Sequence, residues 1–323
     1  MTNRLTLPPD TNQVRGLAQY ALDFLTGKFA EPSDAAYDRV ELFHLDSIAC
    51  GVSALAYGTN APNLLRREAL EYRVAIDSTK DGRGATLFGS RAMVAPEKAV
   101  VANSSAVREW DSNGTNFGYD PERGHTAGEF GHNDFYPVVV AAAQIAGADG
   151  QQTLKAMLLL DEIRGRLAEV FSLKTYKIDH VVHGAIASAI VYGAMLGANI
   201  DQLESAVGLV VAHYIPFRAI RHGKQLSDSK GASAAISSEV AVLSARRAMR
   251  GFVGPADIFR NAEAIFCLFE KPAAKGRSPF ELSVGTSGDE FSILGMHFKL
   301  GLYEHQSAGA IQGLIDLLTK NPE

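Results

Sequence analysis

The chain has 323 residues, 46% hydrophobic and 21% charged, with a formal net charge of −5. That composition suits a globular protein with a large core, in one large domain or two ordinary ones. It carries no basic stripe interleaved with aromatics, which argues against nucleic-acid binding. The N-terminus (MTNRLTLPPDTN) lacks an apolar run of signal-peptide length, and the longest uncharged stretch, Gly184–Ile200, is too short and too rich in small residues for a membrane span.

In chain order, Val14, Leu17, Ala21, Phe24 and Leu25 recur at helical spacing, with Asp10 and Gln13 spaced like a capping box. A second helix is predicted from near Ser33, burying Val40, Phe43, Ile48, Val52 and Leu55, with His44 and Asp46 as polar-face or satisfied core groups. Thr86–Phe88, between glycines, reads as a short strand or turn. Gly82-x-Gly84 neither follows a strand nor opens a helix, so it is no dinucleotide fingerprint. A helix after Pro96 carries Ala99, Val100, Ala102 and Ala106, and further helices are predicted over about 137–147, 151–172, 180–197, 201–214 and 230–250. Gly147, Gly197, Gly223 and Gly251 act as stop signals at or beyond their ends. No repeat at fixed period supports a solenoid.

Cys50 and Cys267 lie in apolar helical patterns and read as buried free thiols of a cytoplasmic protein. Two thiols fall short of the three or four that a cubane iron–sulfur cluster needs. Lys271–Ser278 is a polar linker, after which Phe280–Val284 and Ser292–Leu300 read as strands joined by a GTSGDE turn, and Ser307–Leu318 as a helix. Two strands and a helix are too little for an independent domain, so the chain is expected to be cut short or its tail to pack on the helices. The expected fold class is mainly α: an all-helical domain over residues 1–272, then the start of a smaller α+β domain over residues 278–323.

One stretch breaks the helical pattern. Val107–Pro137 gathers the only Trp (Trp110), two histidines, six acidic residues and five glycines, with no sustained periodicity. Long irregular segments inside compact domains are usually functional or disordered, and the aromatics argue against disorder. It reads either as a surface Ω-loop tied down by Trp110 and Phe135 or as an active-site wall.

Chemistry-bearing residues fall into clusters: Asp111, Thr115, His125, Glu129, His132 and Asp134 in that stretch, Asp179, His180 and His183 at a helix start, Arg218, Arg221, His222 and Lys224 before Lys230, and His297 with Lys299. His180 and His183, one turn apart, suit a metal but lack the glutamate-bearing zinc signature, and imidazoles capping helices are commoner. The arginines and lysines form either a solvated basic face or an anion site. Lys230 opens a helix, where the dipole disfavours a cation, which hints at an anionic partner. Cations, imidazoles and a carboxylate without a nucleophile elbow suggest proton transfer on a polyanionic small molecule.

The order and spacing of E-W-D-S-N-G-T…G-H-N-D, Y-K-I-D-H-V-V, F-R-A-I-R-H…S-K-G-A-S-A-A and the terminal H-F-K resemble the MmgE/PrpD family, from about residue 14 to the end. Its members include cofactor-free 2-methylcitrate dehydratases, cis-aconitate decarboxylases and an iminodisuccinate epimerase. The family's Asp-x-x-x-Thr pair falls on Asp111 and Thr115, although D-F-D/N-D-T is here D-S-N-G-T. Its H-P-S-D falls on His132-Asn133-Asp134 without the proline, and Gly118–Phe130, which carries His125, is an apparent insertion. The family's helix-start histidine matches His180, and its two lysines match Lys230 and Lys299. Family members are longer, with a complete α+β second domain.

The resemblance implies dehydration of 2-methylcitrate to 2-methyl-cis-aconitate, a step of propionate catabolism, without cofactor or metal. The expected catalytic residues are Asp111, His132, His180 and Lys230, and the expected substrate-binding residues are Thr115, Arg221, His222 and Lys299. The implied partners are a small tricarboxylate and a second copy of the chain, in a homodimer through the helical domain. Alternatives are decarboxylation or epimerisation within the family, a metal-dependent hydrolase using His125, His132, His180 and His183, and a non-enzymatic helical binding protein.

Overall fold

A computed structural model describes residues 3–74, 84–114, 132–221, 227–299, 301–303 and 307–322. In chain order these form β1 (Arg4–Leu7), α1 (Gln13–Leu25), α2 (Asp34–Ala56), α3 (Asn60–Ala69), β2 (Ala85–Thr86), β3 (Met93–Val94), α4 (Pro96–Arg108), α5 (Tyr136–Ala146), α6 (Gly150–Val170), α7 (Val181–Met195), α8 (Ile200–His213), α9 (Asp228–Met249), α10 (Ile265–Phe269), β4 (Leu282–Gly285) and α11 (Ala308–Lys320). The fold is mainly α, with two small antiparallel pairs, β1–β4 and β2–β3.

α7 explains the architecture. Its sequence VVHGAIASAIVYGAM is apolar or small on every side, as a helix enclosed all round requires, and it is buried from Val181 to Ala194. α1, α5, α6, α8 and α9 surround it. α4 is the second inner helix, packed among α2, α3, α5 and α9. Its facing partner α9 offers Ser233, Ala234, Ser237, Ser238 and Ala241, small enough for close approach. Side-chain caps fix several starts: Asp149 with Gln152 and Asn199 with Gln202 form reciprocal capping boxes on α6 and α8.

Three expectations are corrected. The cap of α1 is Asn12, whose side chain accepts from the Arg15 amide. Gln13 instead donates to the carbonyls of Leu7 (2.9 Å) and Phe280 (3.0 Å), joining the two chain ends of the sheet. On α2, Val40 and Phe43 are buried, but Ile48 and Val52 are 37% and 51% exposed. The buried stripe continues instead through Ser47, Cys50, Gly51 and Ala54. Small residues win that face because neighbours approach closely: a Cβ on Gly51 would stand 2.7 Å from the Phe88 ring. Cys50 is buried as expected, whereas Cys267 is half-buried; both are free.

The third correction concerns the late strands. Only Leu282–Gly285 is extended, and it pairs with Arg4–Leu7 (Leu5 opposite Val284) rather than with the segment after it. Ser292–Gly295 is a short 3-10 turn. The cause is Glu162, a fully buried carboxylate on α6, which accepts from the amides of Gly285 (2.5 Å) and Ser292 (2.7 Å). These contacts and the stacking of Phe298 on Phe43 (centroids 4.0 Å apart) lay residues 280–298 on the helical body. α11 leaves Leu314, Ile315, Leu317 and Leu318 exposed. No helix among the described residues is long and apolar enough to cross a membrane.

Candidate active site

α4 ends at Arg108, and the chain turns at once through Asp111, whose φ of 49° is left-handed and uncommon outside glycine. The Asp111 amide donates to the Arg108 carbonyl at 2.8 Å, and Arg108 Nη2 lies 2.7 Å from the Asp111 carboxylate. Lys230, in the first turn of α9, places its ammonium 3.6 Å from the other carboxylate oxygen. Lys299 reaches in from the late segment and donates to the Asp111 backbone carbonyl. One acidic residue thus draws cations from three separate regions. Burial works to raise its pKa, but Arg108, Lys299, Lys230 and Arg221 together hold it below the ordinary carboxylate value.

A second group stands beside it. Residues 177–179 and 216–218 are bridged: Asp179 donates its amide to the Pro216 carbonyl and Arg218 to the Lys177 carbonyl, both at 2.8 Å. This brings Arg221 onto Asp179 through Nε and Nη2, and Nη2 also donates to Ser233 on α9 at 2.9 Å. His180, at the start of α7, has Nδ1 3.6 Å from the same carboxylate. Burial, reinforced by the charges of Arg221, Arg108, Arg164 and Arg218, pushes the His180 pKa well below its ordinary value, so its imidazole is neutral.

His132 and Asp134 lie one layer deeper, in a 3-10 turn (His132–Phe135) that leads into α5. His132 stands edge-on to Phe43, centroids 4.1 Å apart, and is covered by Gly114, where an added Cβ would come within 2.4 Å of the ring. Burial raises the Asp134 carboxyl to about 6, against the lowering effect of Arg108 at 3.7 Å and of Asn113. Arg164, fully buried on α6, stacks over Phe135 at 5.1 Å.

The structure therefore gathers Asp111, Lys230 and Lys299 directly, and sets Arg221 and His180 beside them on a shared aspartate. His132 is sealed behind the turn. Thr115, His125, Glu129, His222 and Lys224 lie outside the described residues. Among the described residues, no three His, Cys, Asp or Glu side chains form a group able to hold a metal. Reading the sequence missed Arg108, although its place three residues before Asp111 at a predicted helix end was a usable signal. It also missed Glu109 and Asp228, which with Asp111, Ser227, Lys230 and Gly231 line a cleft of about 250 Å³. Burial, then the nearby Asp228 charge, raises the Glu109 pKa.

What the cleft offers is an ionised carboxylate flanked by cations, with a neutral imidazole close by: groups suited to moving a proton and steadying an anion. Residues 15–275 match the model of the MmgE/PrpD N-terminal domain. The chain is 26% identical over 259 residues to the 2-methylcitrate dehydratase of Salmonella typhimurium, covering 78% of this chain and 50% of that protein. It is 27% identical over 226 residues to the 2-methylcitrate dehydratase of Escherichia coli, with 69% and 45% covered. It is 26% identical over 212 residues to a probable 2-methylcitrate dehydratase of Saccharomyces cerevisiae, with 61% and 38% covered. The chain spans about half the length of the curated relatives it matches.

Proposed function

Because this chain belongs to the MmgE/PrpD family, we propose that it dehydrates 2-methylcitrate to 2-methyl-cis-aconitate by side-chain acid–base chemistry. The observation that carries the reading is Asp111, held ionised between Arg108 and Lys230 at the cleft. The names of the relatives supply the substrate.

The elimination takes a proton from carbon next to a carboxylate, forms the C=C bond, and releases the hydroxyl group with a proton as water. We assign neutral His180 and ionised Asp111 as the proton-transfer groups, with the buried His132 as a further imidazole. Lys230 and Lys299 would steady the charge that builds on the substrate carboxylate, where fixed cations act most strongly. Arg221 is committed to Asp179 through two nitrogens and to Ser233, so its part would be to hold that side of the site. Thr115 and His222 complete the proposed binding set.

A second reading within the family rests on Glu109 and Asp228. Two carboxylates beside a cleft disfavour a trianion and favour a substrate with fewer negative charges or with a cationic nitrogen. Epimerisation of an amino-dicarboxylate fits them better than decarboxylation of cis-aconitate.

A homodimer and a cytoplasmic setting belong to the same proposal. Leu42, Leu45, Ile48 and Val52 form an exposed apolar stripe on α2, which a second copy would cover, and both thiols are free.

The test is ultraviolet absorbance of the purified chain with 2-methylcitrate, citrate and cis-aconitate, with and without chelator. A growing unsaturated-acid signal from 2-methylcitrate, insensitive to chelator, is the expected result. Loss of signal from cis-aconitate without hydration would instead mark a decarboxylase, and silence on all three overturns the dehydratase reading for this chain.

A further inference from the structure

We propose that Arg39 and Phe298 are positioning residues that dock the late segment on α2 and so hold the ammonium of Lys299 at Asp111. The inference rests on the proposed role of Lys299 in steadying substrate charge, but its melting readout does not.

Lys299 lies in a stretch that is neither helix nor strand, and its long stem has much rotamer freedom to lose on being fixed. Its hydrogen bond to the Asp111 carbonyl offsets only part of that cost, because a single such bond contributes little net stability. The Tyr303 ring, 5.6 Å from the ammonium, adds a weak cation–π contact. A lysine at such a place is held best when the backbone that carries it is already fixed.

α2 supplies that fixing through two side chains four residues apart, which share one face of the helix. Arg39 Nη1 donates to the Met296 carbonyl at 2.9 Å, a charge-assisted bond to the backbone itself. Among the described residues Arg39 has this carbonyl as its hydrogen-bond partner and makes no ion pair. Phe43, fully buried, stacks on Phe298 with centroids 4.0 Å and planes 19° apart. The Phe43 ring also meets His132, centroids 4.1 Å apart, so the segment is docked on the same core ring as the deep imidazole. Both anchors fall within three residues of Lys299, and Glu162 ties Ser292 upstream of them. Lys299 is thus the next residue after a docked run, its Cα about 3.8 Å from that of Phe298.

The test uses Arg39→Gln, Phe298→Ala and Lys299→Met, each alone, and the two doubles that pair Lys299→Met with an anchor variant. Arg39→Gln leaves the apolar core intact, so it keeps the test decisive if Phe298→Ala fails to fold. In each anchor variant kcat/KM for 2-methylcitrate should fall about tenfold, within the hundredfold that a misplacement of about 1 Å can cost. In the Lys299→Met background the anchor variants should cost nothing further, because the group they place is gone. Equal losses in both backgrounds mark a general structural role and overturn positioning, as does unchanged kcat/KM in the anchor variants. Melting temperatures run the same cycle without turnover. Lys299→Met should lower the melting temperature of the wild type by about 2 °C, the scale of one hydrogen bond in a chain of this size, and shift the anchor variants clearly less. Equal shifts in all backgrounds overturn the dock. A wild-type chain silent on 2-methylcitrate overturns the dehydratase reading, and the melting cycle then decides on the dock alone.

Discussion

Lys299 donates a hydrogen bond to the backbone carbonyl of Asp111, across 188 residues of sequence. The same ammonium adds to the cationic field that keeps the Asp111 carboxylate ionised. Lys299→Met should lower kcat/KM for 2-methylcitrate by roughly tenfold to a hundredfold, the size of a charge-assisted hydrogen bond. Steady-state kinetics beside a thermal melt checks this; equal kinetics with a lowered melting temperature would make Lys299 a purely structural tie.

Asp111→Asn should abolish most turnover, by about a hundredfold or more, as for loss of a positioned acid or base. It also carries a pH signature. The folded pKa of Asp111 lies below its ordinary value of 3.8, so its ionisation stabilises the fold at any pH above that value. The stabilisation is lost as pH falls through the depressed folded pKa. Melting temperatures of wild type and Asp111→Asn should therefore differ at pH 7 and converge in acid below about pH 4.

His180→Gln should cost orders of magnitude in turnover and leave the protein folded. Because burial lowers the His180 pKa, the unfolded chain binds a proton below about 6.5 that the folded chain does not. Wild type thus loses stability as pH falls below that value, and the variant should lose less. Circular-dichroism melts between pH 5 and pH 8 would separate the two slopes; parallel slopes would sink the assignment of a buried neutral imidazole.

Asp161 shows the opposite sign. It is fully buried on α6, its carboxyl is raised to about 7, and it accepts a 2.6 Å hydrogen bond from Tyr136. The unfolded chain gives up this proton near 3.8 while the folded chain keeps it, so stability is lost as pH rises between about 4 and about 7. Asp161→Asn keeps an acceptor for Tyr136 and should flatten that decline in a melting series over the same range.

Gly184 supports the deep layer of the site. A Cβ there would stand 2.1 Å from the Phe135 ring, in the same 3-10 turn as His132. Gly184→Ala should destabilise by about 1–3 kcal/mol through overpacking, read from urea unfolding. A variant as stable as wild type would mean that Phe135 can move aside at little cost.

The helices were legible because their causes are local. Apolar spacing at α4 to α9, the glycine after α5 and the small-residue character of α7 act within a few residues. Candidate residues were legible as types: Asp111, His180, Lys230, Arg221 and Lys299 stand out as charges or imidazoles beside apolar runs.

Their arrangement was not legible, because it depends on partners far along the chain. Lys230 reaches Asp111 from α9, and the Asp179–Arg221 pair needs the bridge between residues 177–179 and 216–218. Ser292 lies in a 3-10 turn, where Glu162, 130 residues away, takes its amide. The sequence by itself determined a mainly helical protein of the MmgE/PrpD kind and its stock of proton-transfer groups, since propensity and patterning act over a turn or two of helix. Only the tertiary structure decided which face of α2 is buried, that His132 is sealed and that Arg221 is paired. Close packing and electrostatic fields are set by groups that meet in space, whatever their separation in the chain.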